Sequence, residues 1–544
     1  MDKLLEKGKK ILDEILDNQV SVVTLFCGFG GIIAIRAFIK GFVALSSYTG
    51  IGIFIDWLHE LFFFGLIFGL IWILLSIILK TNIAKLSGVI LWSSLFVIFP
   101  PVLDIIRTGG SIYWSFYLLG SAKELWGEYI TLFGNLPSGI VYFGTKIVFL
   151  LVIVLIFGMV YLKTKKLTRA LISAVGTYTI FFAMGAFPSL FAFAYYFFER
   201  TIPLGKVNAV DVVQLFGGMA RIFGVEFTDF RYAMAYEINI VFFALFLALL
   251  AVIFFLADKG KFVAFLKNVR LPQIIYHAGL FFIGMGLGFL AYRDNFNLNV
   301  FSAIAVIDLV SAIWLAWLAS VVVNDIYDFK IDEISNPGRP LPEKIFNKPE
   351  YIELGFMLFA LSILGGLAVD LKFAGLLLIY QFIAWMYSAK PYHLKRFPII
   401  ATGVSAIASL MVLFMGFALF SGSQNMRGLS WRIIALLLIA LVLSLPLKDL
   451  KDIEGDKKEG IWTIPVLFGE YWGRIIVASG MFISFILSVF LLNEFRLFWW
   501  ALFFGGINFL IVTNKKIKPR QLFWWVLAVV AIYGLILVKI VFLK

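Results

Sequence analysis

Charged residues are scarce in this chain, at 15% of its 544 residues, whereas hydrophobic residues make up 62% and the mean hydropathy is +0.98. That balance excludes an ordinary soluble globular protein. The sequence contains one cysteine, Cys27, which excludes an intramolecular disulfide. The composition therefore indicates a protein that crosses a membrane many times.

Apolar stretches recur along the whole sequence, and about 20 helical residues span the ~30 Å hydrocarbon core of a bilayer. A helix satisfies its own backbone within lipid, so the predicted fold class is an all-α polytopic membrane protein. We predict about six spans in residues 1–257 and about nine in residues 274–544. Residues 258–273 are the predicted basic cytoplasmic linker between these two domains. Arg36 and Lys40 lie inside the first apolar stretch, where charge is costly.

The formal net charge is +13, but the basic residues fall mainly in short connections between apolar stretches. Positive-inside bias explains this distribution better than nucleic-acid binding does, so we predict no nucleic-acid partner. The most basic of these connections are residues 163–169, 258–270, 390–396 and 514–520. They mark the predicted cytoplasmic face.

Two acidic clusters share the same internal spacing, with steps of three and then four residues. The first cluster is Asp325, Asp328 and Asp332, and the second is Asp449, Asp452 and Asp456. On a helix, each spacing would place the carboxylates on one face. Each cluster follows a long apolar stretch, where several like charges are costly unless a cation neutralises them. Carboxylate oxygens suit Mg²⁺, which commonly bridges carboxylates and substrate phosphates, so we predict that both clusters bind it.

The order of the predicted spans tests whether the clusters can meet. If the N-terminus is cytoplasmic, six crossings return the chain to the cytoplasm at residues 258–270. Two further spans bring Asp325 to the cytoplasmic face, and four more bring Asp449 to the same face. A joint site at one membrane surface is therefore consistent with the sequence.

Three segments resemble the UbiA superfamily of intramembrane prenyltransferases. They are NDIYDFKIDEISNPGRPLP at 324–342, YSAKPYHLKR at 387–396 and KDLKDIEGDKKEGIWTIPVLFGE at 448–470. The resemblance covers residues ~270–544, and it is specific because three motifs occur in order, each at the predicted cytoplasmic end of a span. The N-terminal half resembles no family that we recognise.

The resemblance implies a nine-helix UbiA-like bundle with a lipid-open cavity, preceded by an additional domain of about six transmembrane helices. It also implies Mg²⁺-dependent transfer of an isoprenyl group from a polyprenyl diphosphate to a membrane-soluble acceptor. Asn324 and the six aspartates would form two diphosphate–Mg²⁺ sites, with Asp325, Asp328, Asp449 and Asp452 central to catalysis. Arg339 and Lys395 would bind phosphate oxygens, and Tyr387 would line the pocket near the reacting carbon.

The chemistry of the reaction is consistent with these roles. Diphosphate takes several negative charges with it when it leaves an allylic carbon, and two metal-binding clusters can stabilise that charge. Arginine and lysine add fixed donors for phosphate oxygens. The allylic cation that remains needs a dry pocket, where aromatic faces stabilise it and water cannot quench it.

The predicted function is therefore transfer of an isoprenyl group to an aromatic or lipid acceptor, with release of diphosphate. Candidate acceptors are a quinone-type ring, a tetrapyrrole alcohol and a glycerophosphate lipid. The loop after Tyr387 does not resemble the 4-hydroxybenzoate transferase form.

Two alternatives remain at this point. A CDP-alcohol phosphotransferase would also be helical, acidic and Mg²⁺-dependent, but the DG and AR of its motif are missing. The other alternative is a non-catalytic transporter or scaffold that binds a phosphorylated isoprenoid lipid. The additional N-terminal half, whose role is open and could include recruiting a partner protein, is the main argument for that alternative.

Overall fold

The computed structural model describes residues 10, 13–14, 18–43, 50–108, 118–132, 143–203, 206–217, 230–295, 299–422, 426–458 and 460–543. Within these residues, all regular structure is helical, which confirms the all-α fold class. Fifteen helical segments of the described residues, three of which combine α-helix with 3₁₀ helix, are long and apolar enough to cross a membrane. The chain is an integral multi-pass membrane protein. The division into domains of six and nine spans stays a prediction.

The chain forms two compact units. Unit 1 contains Met1–Ile222, Glu226–Phe262 and Asn299–Ala305, and unit 2 contains Phe223–Val225, Val263–Leu298 and Val306–Lys544. The predicted domain limits at residues 257 and 274 stay a prediction. Within the predicted linker, residues 259–267 are helical.

The helices between residues 22 and 267 are numbered in chain order. They are α1 Val22–Val43, α2 Gly50–Leu79, α3 Ser87–Ser94, α4 Phe99–Thr108, α5 Ala122–Ile130, α6 Phe143–Thr164, α7 Leu167–Gly185, α8 Phe187–Glu199, α9 Ala209–Gly217, α10 Phe230–Ala257 and α11 Lys259–Lys267. Helix α2 packs along α10, where Phe62 contacts Phe243 and Phe246.

Unit 1 buries a group of charged side chains inside its apolar helices. Arg36 of α1 donates to Glu60 of α2 at 3.0 Å, and Lys40 donates to the same Oε1 at 2.8 Å. Lys40 also lies 3.5 Å from Asp56. Charges within membrane helices persist when they are paired in this way. The ion pairs explain how α1 tolerates two cations.

Replacing Glu60 with alanine is expected to destabilise the protein by about 3 kcal/mol or more, because Arg36 and Lys40 would lose their shared buried acceptor. Equilibrium unfolding in detergent micelles measures the change. Glu199→Gln, which alters an exposed carboxylate of α8, is the matched control. If Glu60→Ala leaves the free energy of unfolding unchanged, these buried ion pairs do not stabilise the fold.

The remaining helices are numbered on in the same way. They are α12 Leu271–Ala291, α13 Val300–Tyr327, α14 Phe329–Ser335, α15 Lys348–Val369, α16 Leu371–Ser388, α17 Pro398–Ala418, α18 Trp431–Ser444, α19 Ile453–Lys458, α20 Ile464–Leu491, α21 Phe498–Thr513 and α22 Pro519–Val541. All lie in unit 2 except the first turns of α13.

Helices α12 and α17 approach very closely in unit 2. A methyl group added at Gly284 would overlap the carbonyl of Leu413, and one added at Gly416 would overlap the carbonyl of Phe281. Small residues at helix crossings permit this approach inside membranes. The packing fixes α12, whose N-terminal end leads from Arg270 into the candidate site.

Candidate active site

Each acidic cluster is built around a break between two helices. Asp325 lies in the last turn of α13, Asp332 lies on α14, and Asp328 occupies the junction with φ −96° and ψ 13°. In the second cluster, Asp452 occupies the corresponding junction with φ −113° and ψ 14°. The expectation of one continuous helical face per cluster is therefore met only in part, because the chain turns at the middle aspartate.

The second cluster begins in a 3₁₀ helix, Leu445–Lys451, that contains Asp449. Asp456 follows the junction on the short helix α19. In both clusters, the backbone N–H of the last aspartate donates to the carbonyl of the middle one at 2.9 Å. The two segments thus present their carboxylates with similar local geometry.

The structure brings the two clusters together at one end of unit 2. Helix α14 packs against α19. Asp328 interacts electrostatically with Asp456, and Asp452 interacts with Arg339. Residues more than 100 positions apart in the sequence therefore face a common space.

Asp325 is the most heavily hydrogen-bonded carboxylate of the site, and only 2% of its surface is exposed. Its Oδ1 accepts from Arg270 at 2.7 Å and from Arg339 at 3.1 Å. Its Oδ2 accepts from Asn268 and from the Tyr351 hydroxyl, each at 3.0 Å. Asp325 thus connects α13 to three other segments of unit 2.

The other two carboxylates of the first cluster also have basic partners. Lys395 and Asn324 donate to opposite oxygens of Asp328. Arg339 donates to Asp332, whose second oxygen accepts from Asn336 at 3.2 Å. The residues expected to bind phosphate, Arg339 and Lys395, therefore contact the predicted metal ligands directly.

Tyr387 lies at the C-terminal end of α16, beside the second cluster. Lys448 donates to its hydroxyl at 3.0 Å, while the lysine nitrogen is 4.8 Å from the ring centroid. The ammonium therefore contacts both the hydroxyl and the aromatic ring of Tyr387. Tyr387 also interacts electrostatically with Asp449 and Asp328.

The sequence model of the UbiA prenyltransferase family matches residues 279–526. Residues 279–526 belong to this family. The residues matched by the family model are called the UbiA domain below, and the domain is a prenyltransferase. The match contains both acidic clusters, Tyr387 and Lys395, but residues 1–278 lie outside it.

Two similar proteins share one name. Digeranylgeranylglyceryl phosphate synthase of Methanobrevibacter smithii is 29% identical over 212 residues, covering 37% of this chain and 69% of that protein. The protein of the same name from Methanocaldococcus jannaschii is 25% identical over 240 residues, covering 42% of this chain and 78% of that protein. One similar solved structure is a UbiA homolog from Archaeoglobus fulgidus bound to DMAPP and Mg²⁺, with 18% identity and a TM-score of 0.40. The similarity covers 51% of this chain and 99% of the homolog.

The last aspartates of the two clusters in the UbiA domain have unusual proton affinity. Burial raises the pKa of Asp456 to about 7, and the carboxylates of Asp449 and Asp452 act in the same direction. Burial also raises the pKa of Asp332 to about 6, against the opposing effect of Arg339. Both groups therefore favour a neutralising partner, either a proton or a metal ion.

The stabilisation of the protein by Mg²⁺ is expected to weaken as the pH falls from 8 to 6. Below about pH 7, a proton occupies Asp456 in the folded, metal-free protein and competes with the metal. A carboxyl group with a raised pKa also adds stability at low pH that is lost as the pH rises through 7. The shift of the unfolding midpoint on adding Mg²⁺, measured at both pH values, tests this. An equal shift at pH 8 and pH 6 would contradict it, and Asp456→Asn should reduce the pH dependence.

The donor chemistry of the two clusters suits magnesium, since all six side chains offer hard carboxylate oxygens. Among the described residues, no group of three or more His, Cys, Asp or Glu side chains is already arranged to hold a metal ion. In the first cluster, the carboxylates turn toward Arg270, Arg339 and Lys395. Binding of magnesium there would require these ion pairs to rearrange.

Four residues of the UbiA-domain site and its entrance did not emerge from the sequence. Asn268 and Arg270 lie in the basic segment 258–270, which positive-inside bias explains, and Lys448 is the first residue of the motif at 448–470, where the sequence suggested no role for it. Tyr351 lies at the start of an apolar helix, α15. Their contacts join residues that lie 26 to 83 positions apart in the sequence, and spacing within a motif gives no signal for such pairings.

Proposed function

We propose that the UbiA domain transfers a geranylgeranyl or similar isoprenyl group from its diphosphate to a glycerophosphate lipid within the membrane, and releases diphosphate. The observation that carries this proposal is the convergence of two acidic clusters, with Arg339 and Lys395 between them, in a UbiA-family domain. The names of the relatives favour geranylgeranylglyceryl phosphate as the acceptor over an aromatic ring.

The residues of the site have different roles in this reaction. All six aspartates would hold Mg²⁺, which, when bound, supplies positive charge to the departing diphosphate. Before the metal binds, Asp325 positions Arg270 and Arg339 through hydrogen bonds of 2.7 and 3.1 Å. Lys395 and Arg339 can then donate to phosphate oxygens as negative charge develops on them.

Tyr387 is suited to stabilise the allylic fragment that remains when diphosphate leaves. Because Lys448 holds its hydroxyl, the ring has a fixed orientation next to both clusters. The ring face can stabilise an allylic cation, and the surrounding apolar helices exclude water that would quench the cation. The acceptor oxygen would form its bond to the carbon from which diphosphate departs.

We also propose that this site faces the cytoplasm. The basic segments 258–270 and 390–396 adjoin the acidic clusters and match the charge bias of cytoplasmic connections. The role of residues 1–257 is a separate question. A comparison of residues 258–544 with the full chain would show whether the N-terminal half is needed for activity.

An assay of the purified full-length chain tests the proposed reaction. Geranylgeranyl diphosphate and Mg²⁺ would be supplied with geranylgeranylglyceryl phosphate or with an aromatic acceptor. We expect product and diphosphate only with the lipid acceptor, and neither after chelation of Mg²⁺. Product only with the aromatic acceptor would overturn the acceptor, whereas no diphosphate release with any acceptor would favour a non-catalytic binding protein.

A further inference from the structure

Three basic side chains are matched with the three carboxylates of the first acidic cluster. Arg270 lies 2.7 Å from Asp325, Arg339 bridges Asp325 and Asp332, and Lys395 pairs with Asp328. Lys395 is buried, and the side chain of Arg339 is 15% exposed. The three positive charges thus balance the three negative charges of the cluster.

The second cluster differs in this respect. In the part of the chain that the structure describes, the ion pair recorded for it joins Lys451 to Asp452 at 3.7 Å, and the side chain of Lys451 is 36% exposed. Asp449 has Lys448, Lys451 and Asp452 among its electrostatic neighbours, and Asp456 has Lys395 as well as three other aspartates. The two clusters therefore offer an incoming cation different environments, because every carboxylate of the first forms a close ion pair, whereas the ion pair of the second involves Asp452.

Entry of a free metal ion into the first cluster would be opposed by its basic partners. Mg²⁺ would have to displace Arg270, Arg339 or Lys395 from the carboxylates, and a buried cation without its partner is costly. A diphosphate changes this balance, because its oxygens accept hydrogen bonds from the displaced guanidinium and ammonium groups. Metal and diphosphate would then favour each other's binding.

We propose that Arg270, Arg339 and Lys395 are counter-ions that keep free Mg²⁺ out of the first cluster. When the metal binds together with a diphosphate, these three side chains leave the carboxylates and pair with phosphate oxygens. This inference rests on the proposed function and adds an order of binding to it. Arg270 lies outside residues 279–526, which match the family model.

The test is a pair of binding titrations on the full-length protein, with Mn²⁺ as the spectroscopically visible substitute for Mg²⁺. Free Mn²⁺ is followed by electron paramagnetic resonance, first alone and then with inorganic pyrophosphate. Wild-type protein should bind Mn²⁺ more tightly with pyrophosphate. Arg270→Gln should bind Mn²⁺ alone about tenfold more tightly than wild type, yet bind pyrophosphate with Mn²⁺ about tenfold more weakly.

The opposite directions of these two changes distinguish the proposal from simpler explanations. A phosphate ligand without a counter-ion role would leave the affinity for Mn²⁺ alone unchanged in Arg270→Gln, and that result would overturn the proposal. Lys395→Met should show the same pair of changes, which provides a second test if Arg270→Gln folds poorly. Arg293→Gln, which removes an exposed charge elsewhere, controls for net charge.

The transfer assay separates this inference from the proposed function. If wild-type protein transfers an isoprenyl group but Arg270→Gln and Lys395→Met do not gain affinity for Mn²⁺ alone, the counter-ion role is wrong and the enzymatic function stands. If wild-type protein neither transfers a prenyl group nor binds pyrophosphate with Mn²⁺, the proposed function itself is wrong.

Discussion

Asp328→Asn is expected to lower the rate of prenyl transfer by about a thousandfold, within the range for loss of one group that stabilises developing charge. Asp328 occupies the break between α13 and α14, where it accepts from Lys395 and Asn324 and faces Asp456. The substitution removes a proposed metal ligand and the partner of Lys395 together. Initial rates at saturating substrate concentrations measure the effect.

Glu333→Gln is the matched control for this experiment. It also neutralises one acidic side chain of α14, but that side chain is exposed. Its rate should stay close to that of the wild type. If Asp328→Asn retained wild-type activity, the first cluster would not hold the metal for the reaction, and the proposed roles of its neighbours would have no basis.

Lys395→Met is expected to lower kcat/KM for the diphosphate substrate by about a hundredfold, which corresponds to the loss of one partner of a buried charge pair. Lys395 is 5% exposed and donates to Asp328. Methionine keeps much of the apolar stem and removes the ammonium group. The substrate would lose a phosphate donor, and Asp328 would lose its counter-ion.

The adjacent basic residue provides the control for Lys395→Met. Arg396 belongs to the same short 3₁₀ helix, Leu394–Arg396, but its side chain is exposed. Arg396→Gln should therefore change kcat/KM little. Equal losses in the two variants would indicate a general effect of positive charge near the membrane surface and would contradict a specific phosphate contact by Lys395.

The apolar stretches were sufficient to predict a helical, multi-pass membrane protein, because lipid leaves few other ways to satisfy a backbone. The three motifs were sufficient to recognise the UbiA family in the second half. Arg36 and Lys40 stood out in the sequence as charges within an apolar stretch. Their partner Glu60, on the next helix, became evident only in the structure.

The arrangement within the site was harder to predict, because it depends on contacts between distant segments. Regular spacing suggested a continuous helical face, but the chain turns at Asp328 and at Asp452. Arg270 looked like one of many cytoplasmic charges until its guanidinium was seen on Asp325. Spacing reports neighbours along one helix, whereas these partners lie on separate helices.

A structure of the full-length protein with Mn²⁺ and an unreactive thio-analogue of geranylgeranyl diphosphate would test most directly whether the two clusters act as one site. Anomalous scattering would locate the metal independently of the surrounding side chains. We expect metal ions on the diphosphate with carboxylate ligands from both clusters, including Asp328 and Asp452. A diphosphate whose metal ions contact only one cluster, or that binds elsewhere in the bundle, would contradict a shared site.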